Sequence, residues 1–278
     1  MPFISAVGGC YLGGENIFLV KKGEAYFYSP ITLDTNTLFI KGEVAKKYSK
    51  KVKGKERYYA DLEQIVYIKE GEDLVKVAET KALAGILKKV RPLNEQKSEL
   101  IPRIQFSLPE DLSQLDYQSL RQELYPSHKP KSFEVIQEGD VVEISIQVTH
   151  KMILLFALIS GDYNPLHTDP EFAKDLKAFE GKNIAHGALI SAWFSGTGVL
   201  ELLGAGFRLI KKDEAVFKRA IKVNDEILIR LKIKRKFFEV VDGIKKFYVD
   251  VEEYCFLKQE STKYTEAVTS GSRYQLYY

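Results

Sequence analysis

The sequence predicts an α+β protein made of two related strand-rich modules, the second of which carries a helical insertion. Three observations carry this. The first is an internal repeat: "LVKKGEAYF" at 19–27 recurs as "LIKKDEAVF" at 209–217, an offset of 190. The match continues from Ile31 to Ile221, Leu33 to Val223, Asp34 to Asn224 and Leu38 to Leu228. After a one-residue slip "YYADLE" at 58–63 falls on "FYVDVE" at 247–252, and upstream "SAVGG" at 5–9 falls on "SGTGV" at 195–199. So long a period is a duplicated domain, not a solenoid. The second observation is partial alternation of β-branched and aromatic residues with polar ones, between short turn signals, in both copies. The third is a helical pattern of about 60 residues before the strands of the second copy, with no counterpart before the first.

Composition bounds the class. The 278 residues are 45% hydrophobic and 28% charged, which suits one large or two ordinary globular domains. With 41 basic and 38 acidic residues the net charge is +3, too balanced to argue for nucleic acid or membrane as a partner. Lys46, Lys47, Lys50 and Lys51 read as a solvated strand face. Cys10 and Cys255, far apart, give neither a metal-ligand spacing nor a disulfide framework. No charged leader with an apolar core opens the chain. The most apolar helix candidate, 188–203, is short for a membrane span and contains Ser191, Ser195 and Thr197. The expectation is a reducing, cytoplasmic setting.

The elements follow in order. In the first copy, strands are expected in "AYFYSPITL" and "TLFIKGEVAKKY", then "RYYADLEQIVYIKEG", a turn at Gly71 and Asp73, and "LVKVAETKALAGI". Long strands joined by short turns suggest an antiparallel meander. Residues 92–130 hold five of the nine prolines and read as an extended connector with one short helix near 109–124. The domain boundaries drawn from this are 1–91, 92–130 and 131–278. "FEVIQEGDVVEISIQVTH" is expected to give a strand pair turning at Gly139 and Asp140. "THKMILLFALIS" is a helix with Thr149 as N-cap, and "DPEFAKDLKAF" another, with Asp169 capping before Pro170. "GALISAWFSGTGVLELLG" is apolar nearly all round and should be buried. The strands of the second copy are "AVFKRAIKV", "EILIRLKIKRKFFEV", a turn at Asp242 and Gly243, "KKFYVDVEEYCFLK" and "TKYTEAVTSGSRYQL". The first copy starts at the equivalent of the end of the buried helix. It is therefore an incomplete module.

Two stretches could carry chemistry. In "SGDYNPLH" at 160–167, Pro165 biases Asn164 away from helix, and Gly161 suits a left-handed cap. Asp162 and His167 then sit on a stiff loop between helices, which is either a plain turn or a catalytic acid–imidazole pair. In "IAHGALISAWFSG" a helix opens at His186–Gly187. Its first N–H groups lack intrahelical acceptors and stand at the positive end of the dipole. Gly187 is thus a candidate oxyanion donor, or simply the start of a core helix. Ser195, eight residues on, is a candidate neighbour of the site or a small packing residue.

"FALISGDYNPLHTDPEFA" followed by "IAHGALISAWFSG" resembles the MaoC-like (R)-specific enoyl-CoA hydratases of the hot-dog superfamily. The resemblance covers about 133–278 and is most specific in 156–196. It implies a double hot-dog: a long central helix wrapped by an antiparallel sheet, present in two copies with the N-terminal one incomplete. It also implies that Asp162 and His167 are the catalytic pair and that the Gly187 N–H binds the thioester carbonyl. By the same resemblance Ser195 lies beside the site, Asn164 braces the loop, and His186 belongs to substrate binding. The segment "FEGKNIAHG" departs from the family's usual Phe-Gly-x-Pro-type entry, and the first copy has no Asp–His loop. One active site per chain is expected.

The implied reaction is reversible hydration of trans-2-enoyl thioesters carried on coenzyme A or acyl carrier protein, with no metal or other cofactor. The implied assembly is a pseudo-dimer within one chain, or a homodimer, whose first half lines part of the acyl channel. A hot-dog thioesterase is the first rival, but the 188–203 helix carries no carboxylate before Glu201. The second rival is a non-enzymatic acyl-thioester binder, which has no need of an Asp–His pair.

Overall fold

The computed structural model describes residues 17–29, 31, 38–86, 133–204, 206–260 and 262–276. The first copy contributes four strands: β1 Ile17–Phe27, β2 Leu38–Val52, β3 Lys55–Glu70 and β4 Asp73–Ile86. The second opens with β5 Val141–Gln147. Four helices follow: α1 His150–Ser160, α2 Pro165–Thr168, α3 Pro170–Lys174 and α4 Gly187–Thr197. A 3₁₀ turn at Lys177–Phe179 precedes α4, which runs on as a π-helical turn over Gly198–Leu203. The remaining strands are β6 Phe207–Lys212, β7 Ala215–Phe217, β8 Glu226–Val241, β9 Ile244–Glu260 and β10 Lys263–Leu276.

All ten strands form one antiparallel sheet in the order β2-β3-β4-β1-β6-β10-β9-β8-β5, with β7 against β1 and β10. The repeat explains the join at its centre. Lys21 and Lys22 pair with Val216 and Ala215, while Tyr26 and Ala25 pair with Lys211 and Lys212. Shifting either set by the repeat offset of 190 produces the other set, so a local two-fold axis relates the copies. The structure is a double hot-dog whose halves share a continuous sheet.

Turn chemistry sets the hairpins. Asp242 and Gly243 both have positive φ (54° and 77°), as do Lys53 and Gly54 (49° and 75°), which is the type I′ requirement of a two-residue hairpin. Alternation then aims the core. Ile227, Ile229, Leu231 and Ile233 of β8 are all fully buried, and with Val249, Val251 and Cys255 of β9 they join Leu189, Ile190 and Phe194 of α4 in one core. In the first copy β3 buries Ala60, Leu62, Gln64, Val66 and Ile68 in the same rhythm. Each copy has one polar residue inside its apolar row: Gln64 in β3 and Glu253 in β9.

Several expected elements change. Residues 133–140 form turns, so β5 stands alone where a strand pair was expected. The first strand is the repeat segment itself, Ile17–Phe27, and not "AYFYSPITL". In "AVFKRAIKV" only Ala215–Phe217 is strand: Lys218 and Arg219 both donate to Ala267 O, and the chain leaves the ladder. It leaves to brace the helical insertion, where Ala185 N donates to Ile221 O at 2.7 Å and Val223 N to Asn183 O at 3.0 Å. The helix expected from Pro170 ends at Lys174. The connector helix near 109–124, and whatever completes the first copy, lie outside the described residues. No helix among the described residues is long and apolar enough to cross a membrane.

Candidate active site

The site is built by two helix ends and a turn. Thr149 caps α1, its hydroxyl accepting from Met152 N, and Gly161 closes the helix in the left-handed region at φ 74°. The chain turns at once. Ser160 Oγ accepts from Asp162 N at 3.1 Å, and Asn164 Oδ1 accepts from Leu166 N at 3.0 Å, capping α2 with Pro165 at its first position. Asp162 therefore lies on the loop as expected. His167 lies on one turn of helix, because the Asn–Pro cap that stiffens the loop also nucleates α2.

Asp162, Asn164, His167 and His186 are all buried. One ligand-type atom from each of Asp162, His167 and His186 lies within 4.8 Å of the others. His167 Nδ1 is 2.8 Å from Ile184 O, so that nitrogen carries the proton and Nε2 is left as a base. Burial lowers the His167 pKa, and the nearby Asp162 opposes the shift. The ring stacks at 3.9 Å on His186, whose Nε2 sits 2.9 Å from Asp162 O. That contact makes Nε2 the donor and leaves Nδ1 buried without a hydrogen bond. Burial, followed by the neighbouring His167, pushes His186 down to about 2. Both imidazoles are neutral bases at neutral pH. The three side chains could also hold a divalent ion, although two of the four ring nitrogens are already committed to carbonyls.

Asp162, Asn164, His167 and Gly187 line one cavity of about 260 Å³. Gly187 heads α4, with no side-chain cap on that end. A Cβ at Gly187 would come 2.8 Å from a Leu19 methyl and 2.9 Å from the Phe217 ring, so those side chains would have to shift to admit one. Ser195 lies farther along α4, its hydroxyl donating to Ser191 O at 3.1 Å; the serine that lines the cavity is Ser191. His186, expected at the substrate, stacks on His167 and is not among the residues that line the cavity.

One contribution escapes sequence reasoning, and one expectation gains its residues. Asn183 donates its amide to the carbonyls of Pro165, Leu166 and Asp169 at 3.0–3.2 Å, tying down α2. It lies in "FEGKNIAHG", the segment that departs from the family pattern, so an available signal pointed to it. The first half was expected to line part of the channel, and the far wall of the cavity is formed by the first copy through Phe18, Leu19, Lys22, Leu62, Gln64 and Thr80. Nothing local in those strands announces a site.

Residues 133–253 match the MaoC like domain. The chain is 32% identical over 102 residues to the (R)-specific enoyl-CoA hydratase of Aeromonas caviae, spanning 37% of this chain and 74% of that protein. It is 31% identical over 94 residues to a mitochondrial 3-hydroxyacyl-[acyl-carrier-protein] dehydratase of Arabidopsis thaliana, spanning 34% and 54%. Among solved structures, a putative MaoC domain protein dehydratase from Chloroflexus aurantiacus superposes with a TM-score of 0.66. It covers 99% of this chain and 80% of its own at 11% identity. A Mycobacterium tuberculosis protein described as a double hotdog gives 0.58 at 13% identity over 99% and 80%. At those identities the two structures speak for the fold alone. On the sequence matches, this chain belongs to the MaoC-like hydratase/dehydratase family.

Proposed function

We propose that the protein catalyses reversible hydration of trans-2-enoyl thioesters to (R)-3-hydroxyacyl thioesters. The observation that carries the reading is that Asp162 and His167, both buried, face one cavity together with Gly187 at the head of a buried helix. Asp162 and His167 hold one water between them. As the water oxygen bonds to C3, its proton passes to His167 Nε2, the nitrogen left free by the Ile184 contact. The imidazolium that forms is stabilised by the Asp162 carboxylate. Charge moves to the thioester oxygen, where the Gly187 N–H and the dipole of α4 receive it. The same pair returns a proton to C2, so OH and H arrive on one face and the His–Asp pair is restored. The reverse sequence is dehydration. No metal or redox cofactor enters, and the substrate is carried on coenzyme A or acyl carrier protein.

In this reading Asn164 and Asn183 position α2, Ser191 lines the cavity from α4 with Ser195 one turn beyond it, and the first copy completes a pseudo-dimer within the chain, in a cytoplasmic setting. The thioesterase alternative lacks a carboxylate on α4 at the cavity, and the pure binder leaves a buried Asp–His pair without a task. Hydration of crotonyl-CoA, followed by loss of enoyl absorbance, tests the proposal. Asp162→Asn and His167→Ala should each lose about 10²–10⁴-fold in kcat with unchanged circular dichroism. Near-normal turnover by either variant rules the mechanism out.

A further inference from the structure

The repeat places a lysine at equivalent positions in the two copies, Lys22 in β1 and Lys212 in β6, and the structure buries both. The equivalence holds in the sheet register. Lys22 pairs with Ala82 and Gln64 with Thr80, just as Lys212 pairs with Ser272 and Glu253 with Ser270. Yet the surroundings differ. In the second copy the ammonium of Lys212 is held by both carboxylate oxygens of Glu253, at 2.7 and 2.8 Å, and the Ser272 hydroxyl donates to the same carboxylate. The ring of Phe194 from α4 lies over it at 5.3 Å. In the first copy the glutamate position is Gln64 and the serine position is Ala82. Above Lys22 lies the cavity that also holds Asp162 and His167.

Among the described residues, then, Lys22 has no anion of its own. It is 7% exposed, and no side chain among the described residues meets its ammonium at ion-pair distance. The charged groups near it are Lys212, which repels it, and Glu253, which already serves Lys212 and Ser272. Burial, and then Lys212, pull its pKa down to about 7, as expected of a buried ammonium with too little negative charge around it. Two lysines thus lie near one carboxylate at the wall of a ligand cavity, a cost relieved either by loss of a proton from Lys22 or by entry of a further anion. Gln64 and Thr80 line the same wall and add uncharged polar groups. The rest of that wall is Phe18, Leu19, Leu62, Ala82 and Ala84, suited to a short apolar chain.

We propose that the cavity selects enoyl thioesters whose acyl tail ends in a carboxylate, and that Lys22, beside Gln64 and Thr80, binds this carboxylate at the wall supplied by the first copy. The bound ligand provides to Lys22 what Glu253 provides to Lys212. This deepens the hydratase reading and rests on it. The first copy is then a specificity element and not a relic of duplication.

The test compares two substrates of equal length on the full chain: trans-2-hexenoyl-CoA and the mono-CoA thioester of trans-2-hexenedioic acid. The native protein should favour the carboxylate-ended substrate in kcat/KM. Lys22→Met should collapse that preference by about 10- to 100-fold, the range of a charged hydrogen bond. Gln64→Glu, which installs the second copy's ion pair in the first, should collapse it as well, and does not depend on tolerance of Met at Lys22. Equal use of the two substrates by the native protein, or a preference that survives in Lys22→Met, overturns the proposal. If neither substrate is hydrated, the hydratase reading fails separately. Calorimetric binding of the two thioesters then decides: tighter binding of the hexenedioyl thioester that is lost in Lys22→Met upholds the Lys22 site, and equal binding rejects it.

Discussion

The two copies of the strand module share a register and a buried lysine, yet they stabilise that lysine in opposite ways. Around Lys212 everything is satisfied from within: Glu253 neutralises it, Ser272 donates to the glutamate, and α4 covers the group. Around Lys22 the glutamate is Gln64, the serine is Ala82, and a cavity stands where the cover would be. The second copy also holds α1 to α4 and every histidine among the described residues. Among the described residues one half holds the helices and the Asp162–His167 turn, and the other contributes a wall of the cavity.

Breaking the closed copy should have the largest effect. Glu253→Gln leaves Lys212 buried and unpaired, so urea unfolding should register a loss of about 3–5 kcal/mol. The matching change in the open copy, Gln64→Leu, removes no counter-ion and should cost clearly less. Similar losses for the two would erase the contrast. The contact between copies comes next. Gly187→Ala drives a Cβ to within 2.8 Å of Leu19, an overpacking cost of about 1–3 kcal/mol in thermal denaturation, together with slower turnover as the head of α4 shifts.

Acidification separates the halves through their histidines. His167 and His186 have pKa values lowered by burial, so the folded protein binds fewer protons than the unfolded chain below the ordinary histidine pKa of about 6.5. The stability present above that pH should therefore fall as pH drops from about 6.5 towards their folded values. The melting temperature should decline from pH 7 to 5, and less steeply in His186→Gln. A flat profile contradicts the buried neutral pair. The smallest effect is expected at the cap of α2, where Asn164→Ala should cost about 0.5–2 kcal/mol by urea unfolding.

The parts legible in the sequence were those governed by local rules. Asn164–Pro165 and Gly161 announce a turn, Thr149 and Asp169 announce caps, and the repeat announces two modules. The central pairing of β1 with β6 and β7 was implicit in the offset, but only a sheet could reveal it, because pairing partners 190 residues apart leave no periodic signal. The first copy was expected at the channel, but the residues of its wall were not legible, for a related reason. Gln64 and Lys22 look like ordinary polar residues in alternating strands, and only the missing glutamate and serine, read against the other copy, make them unusual. The single-strand outcome at 133–147 and the early end of α3 reflect tertiary contacts overriding plausible local patterns.

In the proposed mechanism one water between Asp162 and His167 supplies both the hydroxyl and the proton. Hydration of trans-2-enoyl-CoA in D₂O, with the product's configuration and deuterium position read by NMR, tests it most directly. The expected product is the (R)-3-hydroxyacyl thioester with deuterium at C2 on the face that received the hydroxyl. An (S) product, or deuterium on the opposite face, would contradict it.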